Sequence, residues 1–82
     1  MYIIEELKGL EWKYMYESEN VRDIDKIAYH LTQLQIPCRI ILDDVLLIFL
    51  NGTMYQYEYW KKNYVRKPKV LERKKNEFKK KY

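Results

Sequence analysis

The chain is poor in residues that interrupt regular structure. Its 82 residues include only two glycines and two prolines, so most of it is expected in helices and strands, without a flexible linker or an internal repeat. Two glycines cannot build a glycine-rich loop of the kind that cradles phosphates. Cys38 is the single cysteine, so no disulfide can close within the chain, which fits a reducing, cytoplasmic setting. His30 is the single histidine, and no second histidine or cysteine stands at metal-ligand spacing, so no metal and no other cofactor is expected. The longest unbroken apolar run, Val45–Leu50, is six residues, against about 20 for a bilayer span. Residues 1–9 are acidic where a secretion signal needs a basic flank and an apolar stretch. Neither secretion nor membrane insertion is expected.

What the chain does have is aromatic and charged material. Nine tyrosines and a hydrophobic fraction of 48% give a short chain enough area for one core, though with a thin margin that a homodimer would widen. The net charge of +4 hides an uneven distribution: residues 1–60 sum to −5 and residues 61–82 to +9. The expected organisation is a compact body over 1–60, then a connector and a basic C-terminal helix over 61–82, all in one domain. Lysine, isoleucine and tyrosine richness is compatible with an AT-rich source such as a phage or mobile element.

Periodicity supplies the elements. Residues 1–8 fit either a helical turn or a strand, and the strand paired through Lys8-Gly9 is preferred. From Leu10 to Glu17, Leu10, Trp12, Tyr14 and Tyr16 alternate with Glu11, Lys13, Met15 and Glu17, the period of a half-buried strand. Val21, Ile24, Ile27, Ala28, Leu31 and Leu34 recur at spacings of three and four, an amphipathic helix over 21–35. Cap candidates Ser18–Asn20 precede it, Asp23 and Asp25 stand near its start, and Pro37 stops it. Three short strands should follow over 38–42, 45–50 and 53–60, turned by Asp43-Asp44 and by Asn51-Gly52, the stronger hairpin signal. Val45–Leu50, apolar on both faces, reads as a central strand covered on both sides. Residues 61–67 read as a connector. Pro68 suits the first position of a last helix, whose Leu71, Phe78 and Tyr82 form a narrow apolar stripe. The fold class is α+β: one antiparallel-dominated sheet of four or five strands in the order (β)βαβββα. The first helix lies on one face, and the basic helix lies near the other face or projects.

Candidate sites follow from charge and aromatics. Lys67, Lys69, Arg73, Lys74, Lys75, Lys79, Lys80 and Lys81 form a run suited to an anionic partner, either a nucleic acid backbone or an acidic protein surface. Lysine dominance favours charge attraction over base readout, where arginine forks prevail. Tyr55, Tyr57 and Tyr59 read as an aromatic row on one strand face, and Trp60 with Tyr29 adds contact candidates. The opposite face of that strand carries Met54, Gln56, Glu58 and Trp60, with no cation to follow a phosphate chain. Cys38 is expected as a buried thiol and His30 as a residue without catalytic partners. Asp43-Asp44 is expected as a turn. Glu11-Trp12-Lys13 matches the acid-x-Lys spacing of some metal-dependent nucleases but lacks the Asp on a preceding strand. No catalytic residue, metal ligand or small-molecule substrate is expected. The leading expectation is a non-enzymatic binding module whose basic helix docks an anionic partner. The alternative is a protein–protein inhibitor or adaptor that covers a larger protein with its Tyr/Trp surface.

Overall fold

The computed structural model describes residues 1–66. Their elements are β1 (Tyr2–Lys8), β2 (Glu11–Ser18), α1 (Val21–Gln33), β3 (Cys38–Leu42), β4 (Val45–Leu50) and α2 (Met54–Trp60), which continues as a π-helical turn over Lys61–Val65. Among the described residues the strands form one sheet in the order β2-β1-β3-β4, with every neighbouring pair antiparallel. The α+β class, the antiparallel sheet and the first helix agree with the sequence pattern. The expected helix from Pro68 onward, with its apolar stripe and its lysines, lies outside the described residues.

Local chemistry sets the ends of α1. Asn20 caps it, its side-chain oxygen accepting from the N–H of Arg22 at 2.9 Å, and Ser18 donates to Asp23 at 2.8 Å. At the other end Gln35 takes a left-handed φ of 58° while its N–H and that of Ile36 return to Thr32 and Leu31, which satisfies the last carbonyls of the helix. Asp43 and Asp44 both have positive φ, 49° and 67°, the backbone of a two-residue hairpin turn between β3 and β4.

Four expectations are corrected. The segment over 53–60 is helix, not strand. Its tyrosines alternate, but Asn51 Oδ1 accepts from the N–H and the hydroxyl of Thr53 at 3.1 and 2.6 Å. Thr53 Oγ1 in turn accepts from the N–H of Gln56 at 3.4 Å, capping α2. Asn51-Gly52 therefore leads into a helix instead of turning a hairpin. Gly52 has φ +88°, and a Cβ there would lie 3.0 Å from the backbone of Gln35, so the glycine lets this turn press against the α1–β3 connection.

With 53–60 helical, β4 becomes an edge among the described residues: there it pairs only with β3, and Leu46 and Phe49 are 56% and 46% exposed. The placement expected for the basic helix lies outside the described residues; α1 and α2 pack on one face of the sheet. Ile4, Ile40 and Ile48 are register partners, as are Cys38 and Leu50, and Ile4, Cys38, Ile40 and Leu50 form one buried cluster with Ile24, Ala28 and Leu31 of α1 and Tyr57 and Trp60 of α2. Finally, the aromatic row of β2 is broken by a bulge. Tyr14 pairs with Glu5 but Tyr16 pairs with Ile4, so Tyr16 turns to the helix-covered face.

The opposite face of the sheet carries no buried hydrophobic residue among those described. On it Trp12 meets Phe49 edge-on at 5.9 Å, the Arg39 guanidinium lies 4.5 Å from the Trp12 ring centroid, and Arg39 Nε donates to Glu5 at 2.6 Å.

Candidate anion-binding groove

The helix layer is held together by a few buried aromatics. Trp60, fully buried, donates its indole N–H to Asp25 of α1 at 3.0 Å and stacks on Tyr64 at 5.4 Å. Tyr57, also buried, tilts against Tyr29 at 5.3 Å. Its hydroxyl is raised well above the ordinary phenol range, first by burial and then by the nearby Asp25 carboxylate. The Asp25 carboxylate thus ties α1 to α2 by accepting from the Trp60 indole.

That clamp leaves a groove along the junction. Arg22 and Lys26 stand one turn apart on α1, on the side away from the buried Ile24–Ala28–Leu31 stripe. Across from them the chain passes from α2 into the π-helical turn, closed by the Arg66 N–H to the Lys61 carbonyl at 3.1 Å. A bond spanning five residues places Arg66 beside Lys61. Arg22, Asp25, Lys26, Lys61, Val65 and Arg66 line the resulting depression of about 480 Å³. A second depression of about 350 Å³, on the outer side of the same ridge, is lined by Tyr55, Glu58, Tyr59, Lys61, Lys62 and Arg66. Lys61 and Arg66 border both.

The electrostatics follow from counting. Residues 1–66 contain eight Lys/Arg, and Arg22, Lys26, Lys61, Lys62 and Arg66 are five of them, all lining these two depressions. Ion pairs among the described residues involve Met1 and Arg39 and none of these five. The body that sums to a negative charge therefore presents a local positive surface. The acids beside it are Asp25, which accepts from Trp60, and Glu58.

The expected site residues divide three ways. Lys67, Lys69, Arg73, Lys74, Lys75, Lys79, Lys80 and Lys81 lie outside the described residues. Tyr29, Tyr55 and Tyr59 are exposed, whereas Tyr57 and Trp60 are core residues and offer no contact surface. Sequence reasoning missed Arg22, Lys26, Lys61, Lys62 and Arg66. The signals were there: two cations four apart on the polar side of an amphipathic helix, and the first cations of the basic half, set aside as a connector.

Other chemistry is kept apart. Cys38 is sealed in the core, its thiol pushed up to about 12 by burial, while His30 is exposed on α1. Lys8 pairs with Glu11 and Tyr2 with Leu42, so Glu11–Lys13 and Asp43-Asp44 sit at opposite ends of β1. Among the described residues no three His, Cys, Asp or Glu side chains group to hold a metal, and no helix is long and apolar enough to cross a membrane. Comparison with protein-family models, curated proteins and solved structures gives no match.

Proposed function

We propose that the protein is a non-enzymatic binding module that holds the phosphate backbone of a nucleic acid in the groove between α1 and the α2–π-turn ridge. The observation that carries this reading is the convergence of Arg22, Lys26, Lys61 and Arg66 on one groove of an otherwise acidic body, with Lys62 on the outer side of the ridge that Lys61 and Arg66 share. The cations from Lys67 to Lys81 follow directly in sequence and add to the same charge. Cations facing a polyanion release its condensed counterions, so affinity falls steeply with salt.

The test is fluorescence anisotropy of the full chain with labelled oligonucleotides across a salt series. Five to eight phosphate contacts predict a log–log slope of roughly −4 to −7 on duplex. Reversing Arg22 and Lys26 to Glu should weaken binding at least tenfold at low salt. Salt-indifferent binding, or none, removes this reading. Capture of an acidic protein in its place would move the groove to the other class of anionic partner.

A second reading, protein association, has an observation of its own. β4 is an uncharged edge strand, and charge at an edge is what ordinarily resists strand addition. We assign it a second copy of this chain, because an identical antiparallel β4 brings no charge to the pairing. A two-fold axis through the sheet would also keep both helix layers on one side, and so both cationic grooves.

A further inference from the structure

We propose that the nucleic acid held on this ridge is single-stranded, with neighbouring bases stacked on Tyr55 and Tyr59 while Lys62 and Arg66 hold the adjoining phosphates. The inference rests on the groove reading and adds the form of the ligand. As a strand, 53–60 would have set its tyrosines on a face with no cation. Folded as a helix it does the reverse. Tyr55 and Tyr59 are four residues apart on α2, hence neighbours on one side and about 6 Å apart along the axis. Lys62 and Arg66 continue the line at further steps of three and four, and all four border one depression.

The two rings are 79% and 53% exposed. The aromatic pairs among the described residues join Trp12 to Phe49, Tyr29 to Tyr57 and Trp60 to Tyr64, leaving both α2 rings without an internal stacking partner. No side-chain hydrogen bond among the described residues engages either phenol. Two free aromatic faces followed by two cations form the pattern that takes up bases and backbone of an unpaired strand, where stacking is tolerant of sequence. A duplex keeps its base faces stacked inside and gives these rings nothing to cover. Glu58 borders the same depression between Tyr55 and Lys62, which sets the bases at the Tyr55–Tyr59 end and draws the backbone towards Arg66, the cation farthest along the ridge from that carboxylate.

The experiment compares oligo(dT) and oligo(rU) of about 12 nucleotides with a DNA duplex of equal length, at matched ionic strength, on the full chain. Single strands should bind at least about tenfold tighter than duplex. The double variant Tyr55→Ala/Tyr59→Ala should lose about tenfold or more on single strands and leave duplex binding unchanged. Tyr55→Phe/Tyr59→Phe should keep the affinity, since the ring is retained. Lys62→Glu/Arg66→Glu should lose affinity for both forms. A preference of oligo(dT) over oligo(rU), or the reverse, identifies which single strand is the ligand. Equal affinity for single strand and duplex, with the alanine pair unchanged, overturns the stacking proposal and leaves the groove reading standing. Absence of salt-dependent binding to any oligonucleotide overturns both. Circular dichroism of each variant checks the fold, and the phenylalanine pair keeps the comparison decisive if the alanine pair is perturbed.

Discussion

Gly52 and Cys38 show how single residues constrain this chain. At Gly52 the backbone has a positive φ and the Cβ direction points into the Gln35 peptide at 3.0 Å. Gly52→Ala therefore meets backbone strain and a clash together and should lower stability by about 1–3 kcal/mol in urea unfolding, a range set by overpacking and φ > 0 penalties. Gly9 also has a positive φ but open space around it, so the alanine variant there should lose less. Cys38 has its thiol raised from 9.0 to about 12 by burial. The unfolded chain gives up that proton first, so the stability associated with the neutral thiol is complete below about pH 9 and declines as pH rises towards 12. Tyr57, raised in the same direction, steepens the decline above pH 10. The urea midpoint should fall between pH 8.5 and pH 11, and Cys38→Ala should flatten its early part. A midpoint that rises over this window contradicts the assignment.

At the scale of elements, α2 is where local and global signals conflict. Its alternating tyrosines suit a strand, while its capping chemistry and its buried Tyr57–Trp60 pair suit a helix. Thr53→Ala removes the acceptor for the Gln56 N–H and should cost about 1 kcal/mol. Asp25→Ala leaves the buried Trp60 indole without its acceptor and should cost about 1–3 kcal/mol. It should also loosen α1 from α2 and so widen the groove, seen as a red shift of tryptophan emission. If 53–60 paired as a strand instead, the Thr53 change would leave the urea midpoint unmoved.

For the whole molecule, the layering decides which surfaces remain for partners. Among the described residues both helical elements cover one face, and the groove, the Trp12–Phe49–Arg39 face and the β4 edge are lined by different residues. Leu46→Lys puts a charge on the exposed edge strand, outside the residues that line the groove, and should shift sedimentation from dimer to monomer at micromolar concentration. Its nucleic acid affinity per protomer should hold within a few fold. A wild-type chain that sediments as a monomer throughout that range excludes the self-association reading.

Much of this was legible in the residues. The strand over Glu11–Ser18, the three–four spacing of α1, the Asp43-Asp44 turn, the uncharged run of β4 and the burial of Cys38 are local properties, and each could be read in order along the chain. Two things could not. Whether 53–60 became strand or helix turned on Asn51 and Thr53 capping it and on Trp60 reaching Asp25, which stands 35 residues away in sequence. Whether β4 was central or edge then followed from the loss of a fifth strand. The composition determined that positive charge would be segregated, but only tertiary packing brought Arg22 and Lys26 opposite Lys61 and Arg66. A groove between two elements is a relation of distance in space, and spacing within one element does not encode it.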